Sequence, residues 1–266
     1  MGLLTKAAFA ASFVLALPAV QAVSAQELLR GLDMTSPRMT EAEMSREEVV
    51  ATLNSARGGK TADLSRKSLN GLDLSSLNFD GANLTAAYLN GTNFYGASLQ
   101  GAKLDQSWAL KADFTDANLA GASLFQAQMM DATFNRSNLS GARLAGNFSR
   151  ASMVGADMSG ADLSADMRNQ SMGLMRGILN SADLSGANLS KTNLSRVAAE
   201  FTNFTGANLQ EANLMRMEAG GANFNGADVE GANFELTELF SANLSGMKGE
   251  PVNLDKATGL NRAFRD

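Results

Sequence analysis

Residues 62–104 read ADLSRKSLNGLDLSSLNFDGANLTAAYLNGTNFYGASLQGAKL. Large apolar side chains fall at Leu64, Leu69, Leu74, Phe79, Leu84, Leu89, Phe94, Leu99 and Leu104, each five residues after the last. Two positions before most of these centres sits a small residue, as at Ala82, Ala97 and Ala102, and the position just before is often Asn or Asp. Two positions after, Gly recurs, as at Gly81, Gly91, Gly96 and Gly101. A period of five suits neither standard element. On a helix, successive centres would drift by about 140°, so no apolar stripe forms. On a straight strand, an odd spacing throws them to opposite faces. The chain must therefore turn once per unit: a short extended piece faces its Ala and Leu inward, and the two residues after the Leu make a corner. Such a fixed short period marks a solenoid.

The exceptions give the number of units per coil. Phe94, Phe114 and Phe134 are twenty apart, as are Phe204 and Phe224, and as are Ala199 and Ala219, where a large centre is missing. Twenty residues is four units, so four sides make one coil. A residue and the one twenty later should stack at about 4.8 Å, the spacing of neighbouring strands. The Phe series then predicts a column of rings, and large residues in one column should be balanced by small ones elsewhere in the coil. Backbone groups pair from coil to coil, which satisfies them without helices.

The units at 82–85 (Ala-Asn-Leu-Thr), 112–115 (Ala-Asp-Phe-Thr), 182–186 (Ala-Asp-Leu-Ser-Gly) and 187–191 (Ala-Asn-Leu-Ser-Lys) resemble the A(D/N)LXX consensus of the pentapeptide repeat family. The resemblance runs from Ala62 to Leu254. It implies an all-β solenoid, a right-handed quadrilateral parallel β-helix. For some members it also implies dimerisation through the C-terminal coils, or mimicry of duplex DNA towards a type II topoisomerase.

The chain has 266 residues with no His and no Cys, which removes imidazole and thiol chemistry, disulfides and the usual zinc ligands. Residues 1–25 read as a signal peptide: Lys6, an apolar run from Ala7 to Leu17, Pro18, then cleavage after Ala25 or Ala22. The run is shorter than the ~20 residues of a membrane span. The expectation is a secreted or periplasmic protein with no membrane span in the mature chain. Residues 26–44 read as a linker. Ser45 followed by Glu48 is a capping box, and Val49, Val50, Leu53 and Ala56 follow at helical spacing before Gly58-Gly59, predicting a short capping α-helix over 45–59. Its apolar side should cover the first coil, whose core and strand edges would otherwise lie open. The β-helix should run over 60–254 and a closing segment over 255–266, with one helical turn near Leu260 to Phe264.

The register slips once. Phe148 follows Leu144 by four residues, and eleven separate Leu163 from Leu174. One residue is lost near 145 and one is gained between 164 and 173, where a bulge or small protruding loop is expected. The segment 164–173 reads either as a repaired insertion and deletion or as the feature that sets this protein apart from a plain rod.

With the interior committed, function must sit on the outward positions. Tyr88 and Trp108 are twenty apart and should share a face; Tyr95 and Phe125 should point out on others. Such pairs either stabilise the sheet or mark a contact surface. Arg176, Arg196 and Arg216 form a second column, with Arg136 in the same kind of position and Glu218 and Glu238 near by. A ladder of surface ion pairs is the expected reading, an anion-binding corner the alternative. The Asn and Asp residues before the centres lack the Gly-Gly-x-Gly-x-Asp pattern of repeat calcium sites, and local hydrogen bonds to the backbone account for them.

These features predict a non-catalytic exported scaffold that binds a protein partner, with Tyr88, Trp108, Arg176, Arg196 and Arg216 as candidate surface residues and no cofactor or metal. A homodimer through the C-terminal coils is carried over from the family. The acidic balance, 27 Asp plus Glu against 22 Lys plus Arg, argues against general nucleic-acid binding. The topoisomerase-directed DNA mimic is the alternative, weakened by the signal peptide and the Arg column. A glycan-binding or glycan-active β-helix, with Glu218 and Glu238 or Asp162 and Asp166 as paired carboxylates, is a third.

Overall fold

A computed structural model describes residues 33–56, 61–166 and 175–265. The signal-peptide expectation and the first part of the linker fall outside them, as do 57–59 of the expected helix and most of the irregular segment.

The five-residue unit builds the wall of a coil. Its polar residue before the centre forms a parallel bridge with the equivalent residue one coil on: Asp63 with Asn83, Ser68 with Tyr88, Asp73 with Asn93, Asn78 with Ser98. These four begin four columns, so a coil has four sides. Most rungs join residues twenty apart, as the spacing requires. Each unit also closes its corner. Arg66 N–H donates to Thr85 O at 2.9 Å on the next coil, and Lys67 N–H turns back to Leu64 O at 3.3 Å. The main chain is thus paired without long strands or helices.

In the regular units the corner residue two places after the centre lies at positive φ, in glycines such as Gly101 (φ 64°) and in residues such as Arg66 (φ 60°). Asx side chains brace the unit: Asp113 Oδ1 accepts from Thr115 N–H at 2.9 Å, and Asn138 Oδ1 from Ser140 N–H at 3.0 Å. Their amides climb the column. Asn83 donates to Asp63, Asn93 to Asp73 and Asn203 to Asp183, at 2.9–3.0 Å. An Asp has no amide to donate, so it serves as the foot of such a ladder.

The centres and the small residues two places before them are buried. Phe94, Phe114 and Phe134 stack, with centroids 4.9 and 4.8 Å apart and planes within 5°. Met153 and Leu184 continue the same interior column, and Phe204 and Phe224 resume it with a stack at 5.0 Å. Two Phe series that looked separate therefore share one wall. At two small centres the inward neighbour is large: Val197 precedes Ala199 and Met217 precedes Ala219, all fully buried. Threonine replaces the small residue without leaving a polar orphan. The hydroxyls of Thr92, Thr192, Thr202 and Thr237 each donate at 2.8 Å to a carbonyl of the preceding coil.

The slip shows in the spacing of the rungs. Rungs from Gln128–Asn147 to Arg143–Asp162 are nineteen apart, which matches the lost residue. The next rungs, from Asn147–Ile178 to Asp162–Asn193, are thirty-one apart. In the rung order Ile178 follows Asp162 directly, with eleven residues more between them than the unit spacing of five. This excursion from the rung order starts and ends close together: Gly177 N–H donates to Leu163 O at 2.8 Å, and Asp166 N–H to Met175 O at 2.8 Å.

Before the coils, helix α1 (Pro37–Thr40) and helix α2 (Arg46–Ser55) are present. Ser45 and Glu48 form the capping box, and Val49 is fully buried in the coil core. Residues 33–44 carry a dense set of contacts. Ala42 bridges Leu69 antiparallel, and Glu43 N–H donates to Ser68 O at 2.8 Å. The Asn70 amide donates to Arg38 O and Glu41 O, and that of Asn90 to Met39 O, all at 3.0 Å. At the other end two 3-10 turns, Leu254–Lys256 and Leu260–Arg262, follow residues at positive φ, Asn253 and Gly259.

The lost residue dictates one glycine. Gly146 N–H turns back to Leu144 O at 2.8 Å, and a Cβ on Gly146 would stand 2.8 Å from Ala127 O and 2.9 Å from Leu124 O. Both are backbone atoms and cannot swing aside. Gly146→Ala should therefore lower stability in urea unfolding by about 1–3 kcal/mol, the usual range for overpacking. Gly101→Ala, where nothing lies within 4 Å of the new Cβ, should cost less. The reverse order would show that the short coil relaxes.

Candidate interaction surface

The two sets of residues nominated from sequence lie along one wall. Its rungs are Ser68, Tyr88, Trp108, Gln128, Asn147, Ile178, Ala198, Glu218, Glu238 and Thr258. The corner leading into that wall carries Arg196 and Arg216, at φ 62° and 58°. Tyr88 and Trp108 form one rung, as the twenty-residue rule requires, and both are half-buried. Tyr88 is not bare: the Arg38 guanidinium lies 4.8 Å from its ring centroid. The N-terminal segment therefore covers the lower end of the wall.

The three arginines behave differently from one another. Arg176, at the root of the excursion, has left the corner conformation and lies along the wall. It donates to both carboxylate oxygens of Glu218, at 2.6 and 2.7 Å, and to Arg196 O at 3.1 Å. Its side chain is only 16% exposed, so it is a strap two coils long rather than a free cation. Among the described residues, no carboxylate lies within ion-pair distance of Arg196 or Arg216. Of the expected ion-pair ladder, the Arg176–Glu218 pair alone forms here among the described residues. Ion pairs also occur at other corners, where Arg136 grips Asp116 and Arg150 grips Asp131, each through two hydrogen bonds of 2.7–2.8 Å. The Arg136 contact holds the Asp116 carboxyl below its ordinary range. In both of these pairs the acid sits one coil earlier in the same column, and the Arg176 column has none there.

Glu238 follows Glu218 on the wall. Partial desolvation pushes its carboxyl above the ordinary glutamate value, the negative charges of Glu218 and Glu200 add to this, and Arg176 offsets part of it. The carboxylates of the described residues do not converge as a metal-binding group. Sequence reasoning missed what borders this acidic stretch. Phe201 is 69% exposed and Phe240 43% exposed, at the corner that follows the wall. The pattern held the signal: Phe201 lies two places after the Ala199 centre, where a corner residue must face outward. Elsewhere Tyr95 is 48% exposed, and Phe125 lies 4.4 Å beneath the Arg143 guanidinium.

A carboxyl whose folded pKa is raised disfavours the folded state once it ionises, and has no such effect below the unfolded value of 4.5. Glu238→Gln should accordingly raise the thermal midpoint at neutral pH by on the order of 1–2 °C. The gain should fade as the pH falls towards 4.5, where the wild-type carboxyl becomes protonated in the folded state. A gain that persists there would assign the effect to packing instead.

No curated protein matches the sequence. Among solved structures the chain is similar to HetL, a pentapeptide repeat protein involved in heterocyst differentiation regulation from the cyanobacterium Nostoc sp. That match has 26% identity over 83% of this chain and 94% of HetL, with a TM-score of 0.38. It is also similar to QnrB1, a plasmid-mediated fluoroquinolone resistance protein, with 19% identity over 75% of this chain and 93% of QnrB1 and a TM-score of 0.36. A third likeness is to Rfr23, a pentapeptide repeat protein of the cyanobacterium Cyanothece, with 18% identity over 56% of this chain and 92% of Rfr23 and a TM-score of 0.28. Eight copies of the pentapeptide repeats model match residues 68–106, 112–146, 147–165, 178–216 and 220–248, more than half of the sequence. The chain therefore belongs to the pentapeptide repeat family.

Proposed function

We propose that the protein is an exported, non-catalytic scaffold that holds a protein partner along the wall running from Tyr88 to Glu238. The observation that carries this reading is convergence. Tyr88, Trp108, Arg176, Arg196 and Arg216 were nominated from two unrelated patterns, and all belong to one wall and its leading corner. Repeat solenoids offer such long faces to partners because side chains can change there without disturbing the core. The right-handed winding usual in the family belongs to this reading, and so does the role of α2 as a cap that keeps the first coil from pairing with other chains.

Export rests on residues 1–25, with cleavage after Ala25 or Ala22, and places the protein in the periplasm or outside the cell. Among the described residues no helix is long and apolar enough to cross a membrane. A homodimer joined through the C-terminal coils fits the exposure of Val252 and Phe264 on the last rungs. The DNA-mimic reading is not favoured. Its charge argument needs a continuous acidic face, and the Tyr88 wall sets Arg196 and Arg216 beside Glu218 and Glu238.

Crosslinking in the native envelope tests the reading. The wild-type protein should capture a discrete partner, and Tyr88→Ser/Trp108→Ser should lose most of that capture while keeping its circular dichroism spectrum. Equal capture by the folded double variant would remove the wall from consideration.

A further inference from the structure

Among the described residues, three outward rings have a guanidinium laid over them: Tyr88 beneath Arg38 at 4.8 Å, Phe125 beneath Arg143 at 4.4 Å, and Phe240 beneath Arg262 at 5.9 Å. No guanidinium of the described residues covers Phe201, although at 69% it is the most exposed of the large apolar residues described. It also stands at φ 56°, the one aromatic among the non-glycine corner residues at positive φ. A bulky side chain is uncommon there, and this one recovers little by burial.

The neighbourhood of the ring is unusual. Phe201 N–H donates to Gly220 O at 2.9 Å, and Gly221 N–H to Phe240 O at 2.8 Å, so three successive coils meet at this corner. The middle coil contributes two glycines. A Cβ on Gly221 would lie 2.6 Å from the Phe201 ring, so the ring rests directly on bare backbone. The result is an apolar shelf that runs from Phe201 across Gly220 and Gly221 to Phe240. Glu200 adjoins it in the chain, and Glu218 and Glu238 stand on the adjoining wall. Arg176 neutralises Glu218, whereas no cation among the described residues is within ion-pair distance of Glu200 or Glu238. The charges of Glu200 and Glu218 also act on the Glu238 carboxyl.

We propose that this shelf docks an arginine-bearing segment of a protein partner, with a guanidinium stacked on Phe201 and paired with Glu200 and Glu238. The inference rests on the wall being a partner-binding surface and adds the chemistry of the partner. Two arguments choose the occupant. Arginine is what the protein itself lays on its outward rings, Phe240 at this shelf included. The shelf is also short of positive charge, and a guanidinium satisfies ring face and carboxylate at once.

The test titrates the full chain with a blocked peptide, Gly-Arg-Gly-Leu-Arg-Gly, and with the same peptide carrying uncharged citrulline for arginine, read by NMR shifts and calorimetry. The arginine peptide should bind with shifts at Phe201 and outbind the citrulline peptide. Phe201→Gly should weaken it about two- to fivefold, the effect of one exposed cation–π contact. The same variant should be no less stable than wild type, since glycine suits positive φ, which separates lost binding from lost folding. Glu200→Gln/Glu238→Gln should weaken binding with the Phe201 shifts retained. Equal affinity for the two peptides, wild-type affinity in Phe201→Gly, or no binding to the wild-type chain would each overturn the proposal. Phe201-dependent self-association that the arginine peptide does not compete with would also overturn it, in favour of a second copy as occupant. If Tyr88→Ser/Trp108→Ser loses envelope capture while Phe201→Gly keeps full peptide affinity, the wall reading stands and this one falls.

Discussion

The structure depends on a backbone constraint: a residue must pair with its equivalent one coil further on. When Tyr88 N–H donates to Lys67 O and Leu89 N–H donates to Trp108 O, the interior side chains beside them are brought to the spacing of a parallel ladder. Stacked interior positions then touch along the axis, so each column must hold residues that stack well or compensate within the coil. The rings of Phe94, Phe114 and Phe134 meet this by lying flat on one another. Val197 with Ala199 and Met217 with Ala219 meet it by exchanging the large and small positions. Close packing allows little else, since a gap too small for water forfeits contacts on every side.

The same ladder explains how the protein tolerates irregularity. A coil one residue short still forms its rungs if the deficit is confined to a corner, and the corner at Gly146 takes it because no side chain is present to collide. A coil with eleven extra residues still forms its rungs if the surplus leaves and re-enters at neighbouring points, here between Leu163 and Gly177. The root of that excursion is tied in both directions. Asp166 approaches Arg143 at 3.8 Å, and Arg176 reaches Glu218. Bidentate pairing fixes geometry as well as charge, so the strap at Arg176 holds the chain where regularity is lost.

Outside the core the ladder sets position but not identity. Each wall offers an outward residue at every rung and corner, and neighbours there are twenty apart in sequence. Charge balance on such a surface is a matter of columns: Asp116 below Arg136 makes a pair, while Arg196 below Arg216 does not. Membership of the pentapeptide repeat family accounts for the regular part of the chain. What is particular to this protein lies in the strap, the bare glycine corner, the exposed rings beside it and the segment 33–44 bound over the first rungs.

The period of five, the four-sided coil, the buried Phe column and the capping box at Ser45 were all legible in the sequence, because each is local or repeats at a fixed interval. The pairing of Tyr88 with Trp108 was legible for the same reason. The tertiary structure alone decided that the Tyr88 and Arg columns share a wall, because their relation crosses the break in register, where counting fails. It alone decided that Arg38 covers Tyr88, that Arg176 turns from its corner to Glu218, and that Ile178 follows Asp162 in the rung order. Those outcomes depend on which groups meet across coils far apart in the chain, and hydrogen-bond geometry, not spacing, selects among them.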